Sequence, residues 1–306
     1  MATACRVAKK PKSVNKRVIC IGNLTAGGTG KTPVAISVAK ILKEYGYNPA
    51  FVSRGYGGVL QGVMVNSKIH TAKDVGDEPL ILAREAPVSI NANRYLAAQK
   101  AIDNGADMII MDDGYQNPGL KKDISIVVFD GGFGIGNGRP IPSGPMREYL
   151  ETGLLRADAA MIIGDDLFNL SQKIKKIPVF YGRVEPIKPK KITNKKVVAF
   201  AGIGRPEKFY KSLSEIGFDV METFDFPDHH YYNTKELNNI IFKAQKYRAD
   251  IYTTEKDFVK IPRELQANFK VLEIKINWGY DQKLKDFLSA MLNLETKNPP
   301  MDFHNL

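Results

Sequence analysis

Lys31 and Thr32 close a glycine-dense run, Gly22-Asn23-Leu24-Thr25-Ala26-Gly27-Gly28-Thr29-Gly30-Lys31-Thr32, whose residue types suit the handling of polyphosphate. Glycines let successive backbone N–H groups converge on phosphate oxygens, lysine adds charge at the β- and γ-phosphates, and a neighbouring threonine hydroxyl suits Mg²⁺. The usual phosphate-loop pattern has glycine five residues before Gly30, where this chain has Thr25. The run therefore departs from the strict pattern. Thr25, Ala26, Gly27, Gly28, Thr29, Gly30, Lys31 and Thr32 are the candidate nucleotide-binding residues, and ATP with Mg²⁺ is the implied ligand.

A phosphate loop needs a carboxylate at the end of a neighbouring strand, and Met108-Ile109-Ile110-Met111-Asp112-Asp113-Gly114 has that form. Asp112 and Asp113 are candidate metal ligands with Thr32; a charged Asp-Gly turn is the competing structural explanation. Downstream, Arg139 and Arg147 lie in or just after a glycine-rich stretch, and a guanidinium there suits charge on a transferring phosphoryl group. Proton removal from an acceptor hydroxyl calls for a carboxylate or a His–carboxylate pair. Gly76-Asp77-Glu78-Pro79 and Asp228-His229-His230 offer these groups. Each alone fits simple helix capping or a surface turn equally well.

These residues sit at the ends of elements. Arg17–Gly22 is a β-branched run that predicts a buried strand, and Pro33 followed by Val34–Leu42 predicts a helix. Strand and helix patterns then alternate through Ala50–Ser53, Leu80–Ala86, Val88–Ile90, Arg94–Asn104, Met108–Met111 and Ile124–Phe129. This alternation predicts an α/β fold of P-loop NTPase type, a doubly wound and mostly parallel sheet with ligands at the carboxyl ends of its strands. A proline- and lysine-rich stretch predicts a linker at 184–196, between a catalytic domain at 1–183 and a smaller α/β lobe at 197–306.

Composition narrows the setting. The 306 residues are 43% hydrophobic and 25% charged, which disfavours disordered, collagenous and disulfide-scaffold classes. Cys5 and Cys20 lack metal-ligand spacing and suit a reducing cytosol. No apolar run is long enough to span a bilayer, and the basic stretch before Arg17 lacks the apolar core of a secretory signal. The net charge of +11 fits a nucleic acid, an anionic membrane or a phosphorylated substrate, and equally general surface basicity.

Over nearly its whole length the chain resembles the tetraacyldisaccharide 4'-kinase family. The resemblance rests on the Gly22–Pro33 run, Ser53-Arg54-Gly55-Tyr56-Gly57-Gly58, Gly76-Asp77-Glu78-Pro79, Asp112-Asp113-Gly114, Gly136-Asn137-Gly138-Arg139 and Gly144-Pro145-Met146-Arg147-Glu148, in that order. Phe200-Ala201-Gly202-Ile203-Gly204, Asp228-His229-His230 and Thr254-Glu255-Lys256-Asp257 complete it. It implies transfer of the ATP γ-phosphate to the 4'-hydroxyl of a tetraacyldisaccharide 1-phosphate in lipid A biosynthesis, at the cytoplasmic side of a Gram-negative inner membrane. It also implies Lys31 and Thr32 on the phosphates and Mg²⁺, Asp112 and Asp113 at the metal, and Asp77 as general base assisted by His229. Glu78, Arg147 and Glu148 support them, Glu78 near the metal, and the smaller lobe closes over the nucleotide. The expected partners are the glycolipid and the anionic membrane surface, with no nucleic acid, and the chain is expected to act as a peripheral monomer.

Two departures stand out. Family members usually begin with an apolar membrane-associating helix, where this chain is basic and polar from Ala2 to Arg17; the family's Asp-Asp-Gly-Leu-Gln-His block reads Asp112-Asp113-Gly114-Tyr115-Gln116-Asn117 here. A P-loop switch ATPase of the MinD kind, a scaffolding protein, is the alternative class, but its lysine before the paired glycines is replaced by Ala26. A nucleic-acid binder would show aromatic-interleaved basic motifs that are not evident.

Overall fold

Burial along the first strand alternates between two cores. The computed structural model describes residues 10–295, so Cys5 and part of the Arg6–Arg17 basic cluster lie outside the described residues. In β1 (Arg17–Gly22), Ile19 and Ile21 enter one apolar cluster while Val18 and Cys20 enter the other, as the period of two in a strand dictates. A strand apolar on both faces must lie inside a sheet covered on both sides. The chain continues through α1 (Lys31–Glu44), β2 (Pro49–Ser53), β3 (Val63–Met64), α2 (Ala72–Val75), α3 (Asp77–Leu82), β4 (Val88–Ile90) and α4 (Arg94–Asp103). Then come β5 (Met108–Asp112), β6 (Ile124–Asp130), α5 (Leu150–Leu154), β7 (Ala159–Ile163), α6 (Leu170–Lys173) and β8 (Val179–Pro186).

The smaller lobe holds β9 (Lys196–Ala201), α7 (Pro206–Ile216), β10 (Asp219–Asp225), α8 (Thr234–Tyr247), β11 (Asp250–Thr253), α9 (Glu255–Phe258) and β12 (Lys270–Val271). After it follow β13 (Ile274–Asn277) and α10 (Gln282–Leu292). The large sheet has the order β13-β8-β7-β6-β1-β5-β2-β4-β3 and the small one β10-β9-β11-β12. Only the edge strands β3 and β13 of the large sheet pair antiparallel; β1 lies between β5 and β6, parallel to both. The loops after β1 and β5 therefore open side by side at one end of the sheet, the α/β architecture that the alternation predicts.

The lobe boundary differs from the predicted one. Val184, Glu185 and Pro186 belong to β8, not to a linker, and β13 pairs with them, Ile274 opposite Pro186 and Asn277 opposite Arg183. Next to that pair, Ile187 N donates to Glu273 O at 2.8 Å. Leu284, Leu288 and Leu292 of α10 join the core that holds Val34, Val38 and Leu42 of α1, and Trp278 Nε1 donates to Ser37 Oγ at 2.7 Å. The smaller lobe is thus an insertion leaving at Ile187 and returning at Glu273, and the last described segment completes the large domain. Leucines four apart mark an apolar helix face, but not which of two cores receives it. No helix among the described residues is long and apolar enough to cross a membrane.

Candidate active site

The glycine-rich loop joins β1 to α1. Gly27 (φ +105°) and Gly30 (φ +84°) take left-handed backbone, which side chains resist. Gly30 precedes α1 with no side-chain cap, so the leading N–H groups of the helix remain available to an anion. Asn23 Nδ2 donates to Thr29 Oγ1 at 3.2 Å and braces the loop at its neck. Thr25 and Ala26 sit differently: Thr25 bridges Met146 in antiparallel fashion, and Ala26 N donates to Pro145 O at 2.7 Å. Arg147 N donates to Leu24 O at 2.7 Å, which completes a short ladder. The amide of Ala26 is therefore already engaged, and the open cradle is Gly27, Gly28, Thr29, Gly30, Lys31 and Thr32. Thr25 makes no demand for positive φ, so threonine serves where the strict pattern has glycine.

Beside the loop, β5 ends on Asp112, which is 1% exposed. Thr32 Oγ1 donates to Asp112 Oδ2 at 3.4 Å, and Asp112 Oδ1 is buried without a hydrogen-bond partner. Burial, then the charge of Glu78, pushes the carboxyl up to about 8 against the opposing charge of Lys31. An orphaned carboxylate oxygen beside a threonine hydroxyl suits Mg²⁺, a cation that takes few protein oxygens and completes its shell with phosphate and water. Glu78 is half-buried nearby, and burial raises its carboxyl, Lys31 opposing and Asp77 adding.

Asp113 faces basic side chains. From a left-handed backbone (φ +49°) it accepts from Arg147 Nη1 at 3.0 Å and Nη2 at 3.2 Å, with Lys31 Nζ at 3.7 Å. This forked pairing ties Lys31 and Arg147 together, so of the adjacent aspartates Asp112 is the one with a free oxygen. Glu148 is bound by Arg156 Nη2 at 2.8 and 2.7 Å and by Gln116 Nε2 at 3.1 Å, an anchor for the Arg147 loop. Arg139 is exposed.

Asp77 opens α3 and is 5% exposed. Its Oδ1 accepts from Glu78 N at 2.9 Å, and its Oδ2 lies 3.0 Å from His229 Nδ1. The histidine comes from the smaller lobe, from a turn in which its own φ is +61°. The helix predicted from Leu80 thus starts three residues earlier, with Gly76 before it (φ +92°, ψ 158°). A Cβ on Gly76 would run into Tyr56 O, and one on Gly58 would meet Val75 C at 2.5 Å and Asp74 O at 2.7 Å. The glycines of Ser53–Gly58 and Gly76 therefore let two turns pack backbone to backbone and set Asp77 in place. His230, by contrast, pairs with Glu236 at 3.0 Å and stacks on Phe226. Of the two adjacent histidines, His229 is the one that reaches Asp77.

Two basic residues to which the sequence assigns no role lie at or near the site, Lys256 from the Thr254-Glu255-Lys256-Asp257 block and Arg94. Lys256 Nζ lies 2.9 Å from Asp228 Oδ1 and 3.2 Å from His229 Nε2. Arg94, 5% exposed at the start of α4, donates to Asn91 O at 2.8 Å. Burial and then the charge of Arg54 lower Arg94 to about 10, with Asp113 and Asp112 opposing. A basic residue opening a helix carries no sequence signal for such a position.

Comparison with known proteins identifies the family. The family model for tetraacyldisaccharide-1-P 4'-kinase matches residues 1–293. The tetraacyldisaccharide 4'-kinase of Rhodospirillum rubrum is 44% identical over 282 residues, covering 90% of this chain and 85% of that protein. That of Parvibaculum lavamentivorans is 42% identical over 293 residues, covering 94% and 86%. A crystal structure described as the "apo" form of LpxK from Aquifex aeolicus in complex with ATP superposes with a TM-score of 0.73 at 25% identity, covering 93% of this chain and 91% of that one. The match favours the kinase reading over the switch-ATPase alternative. With the family model matched from residue 1 to 293 and relatives above 40% identity over nine-tenths of its length, the chain belongs to the tetraacyldisaccharide 4'-kinase family.

Proposed function

We propose that the chain transfers the γ-phosphoryl group of ATP to the 4'-hydroxyl of a tetraacyldisaccharide 1-phosphate. The open cradle from Gly27 to Thr32 receives the β- and γ-phosphates on backbone N–H groups, and Lys31 adds its charge there. When bound, Mg²⁺ supplies charge neutralisation on the phosphate oxygens, with Thr32 and Asp112 as protein ligands and Glu78 nearby. Arg147, oriented by Asp113, stabilises charge on the transferring group. The acceptor oxygen forms its bond to phosphorus as the bridging bond to ADP breaks, and the hydroxyl proton passes to Asp77. His229 holds that carboxylate in place.

The observation that carries this reading is the 3.0 Å contact between Asp77 Oδ2 and His229 Nδ1. It supports a base drawn from both lobes, with the charges of Lys31 and Glu78 close to Asp77. Because the two residues come from different lobes, the pair is complete only with the lobes together, and closure over the nucleotide assembles it. The test is transfer of labelled γ-phosphate from ATP to the glycolipid in detergent micelles. Lys31→Ala and Asp77→Ala are expected to lower transfer at least about a hundredfold, with Asp77→Ala still binding ATP. No transfer by a folded, ATP-binding wild type sinks the reading.

In this reading the chain meets its acylated acceptor as a peripheral monomer at the cytoplasmic face of the inner membrane. The net charge of +11 supports this, as do Phe133, Ile141, Tyr149, Leu155, Leu167 and Phe168, exposed in and around the loops that follow β6 and β7. Co-sedimentation with anionic vesicles but not with neutral ones is the expected result.

A further inference from the structure

His229 is gripped from two sides, and only one of them belongs to the base described above. Its Nδ1 faces Asp77 Oδ2 at 3.0 Å, while its Nε2 faces Lys256 Nζ at 3.2 Å. An ammonium group has donors and no acceptor, so the ring nitrogen that meets it must present a lone pair. Nδ1 then carries the ring proton and donates it to Asp77.

We propose that Lys256 is a positioning residue: by donating to His229 Nε2 it fixes the Nδ1–H tautomer and blocks Nε2, so that Asp77, not the imidazole, receives the acceptor proton. The proposal rests on the reading of Asp77 and His229 as the base, and decides which of them takes the proton. In a Ser-His-Asp arrangement the nitrogen distal to the aspartate faces the nucleophile. Here that nitrogen faces a lysine.

The surroundings hold Lys256 at this task. The same ammonium donates to Asp228 Oδ1 at 2.9 Å, and the other contact of that oxygen is His229 N at 3.0 Å. Asp228 thus links the lysine to the backbone of the histidine turn, which needs such a tether because His229 holds a left-handed φ of +61°. Behind them lies one buried carboxylate. Asp257, next in sequence to Lys256, accepts from Tyr232 Oη at 2.7 Å and from Thr254 Oγ1 at 2.6 Å, and pairs with Lys260 at 2.8 Å. Tyr232 is three residues beyond His229. Lysine and histidine are therefore mounted on the same fixed group.

The experiment combines Lys256→Met, Lys256→Arg and His229→Ala, singly and as the double variant K256M/H229A, with ¹⁵N NMR of the imidazole in the full-length protein. K256M is expected to lower kcat about ten- to hundredfold while KM for ATP stays within about twofold, with K256R recovering most of the loss. In the H229A background K256M is expected to add no further loss, because it acts through the histidine. The NMR signals are expected to show Nδ1 protonated in the wild type and a mixture of tautomers in K256M. An unchanged tautomer in K256M, or a full K256M loss on top of H229A, overturns the role of Lys256 while the base reading stands. Wild-type kcat in H229A overturns the base reading and the proposal with it. Thermal midpoints separate a folding defect from either result, and K256R supplies the test if K256M does not fold.

Discussion

Asp112, the proposed Mg²⁺ ligand, bears on stability through the same carboxyl group. Its value in the folded protein, pushed up to about 8 by burial and then by Glu78, lies well above that of an exposed aspartate, about 3.9. The folded state therefore holds a proton that the unfolded chain releases, so stability is fully present below about pH 4 and is lost as pH rises through about 8. Without a cation, Asp112→Asn is expected to raise the thermal midpoint by several degrees at pH 8.5 and to leave it nearly unchanged at about pH 4. Mg²⁺ with a nucleotide is expected to stabilise the wild type more at pH 8.5 than at pH 5.5, and D112N little at either pH. Calorimetry across that range checks it, and an equal D112N effect at both values would remove burial of the charge as the cause.

At the scale of elements, the turns that carry the chemistry are fixed by close backbone approach. Gly76→Ala places a Cβ against Tyr56 O at a φ of +92°, where steric overlap and backbone strain act together. G76A is expected to cost about 2–4 kcal/mol of stability and to reduce kcat at least about tenfold through a displaced Asp77. Urea denaturation and the transfer assay check both. Gly57→Ala is the control, since a Cβ there meets only Tyr231 Oη, at 3.7 Å, despite the same sign of φ (+78°); it is expected to keep the Asp77 turn in place and lose less activity.

This scale also shows what the sequence discloses. The phosphate loop was legible because glycine spacing, a β-branched strand and a helix coincide within about twenty residues. The contact of Asp77 with His229 spans 152 positions, and no local pattern encodes it; the resemblance to a family supplied it. The engaged amide of Ala26 and the forked Asp113–Arg147 pair were not legible, because both depend on where the loop at 144–148 returns. Leu284, Leu288 and Leu292 announce a helix face without naming its core, and only the fold seats that face on α1.

For the whole molecule, the insertion of the smaller lobe through adjacent strands makes a natural hinge. The crossings at Ile187 and Glu273 are hydrogen-bonded to each other, a paired ribbon on which the lobe would turn in the proposed closure. Away from the hinge, Val259 packs against the core around α1, and several contacts are polar. Arg84 meets Glu255 at 3.4 Å, Tyr231 Oη donates to Ala72 O at 3.3 Å, and Arg205 pairs with Asp130. Arg263 Nη2 donates to Ser67 O and His70 O, each at 3.0 Å. Exposed ion pairs contribute about 0–1 kcal/mol each, so these bonds set a balance between docked and parted lobes without fixing either fold. Arg263→Ala removes donors at the point that holds the smaller lobe beside α2 and α3, and it touches neither Asp77 nor His229. It is expected to lower kcat about five- to tenfold, equivalent to about 1–1.4 kcal/mol, and to enlarge the radius of gyration in solution scattering. The unfolding midpoint should move by no more than a few degrees, since each lobe keeps its own core. If kcat falls while the radius stays that of the wild type, Arg263 serves the site locally; if both stay unchanged, the polar contacts do not govern docking and Val259 is the residue to change next.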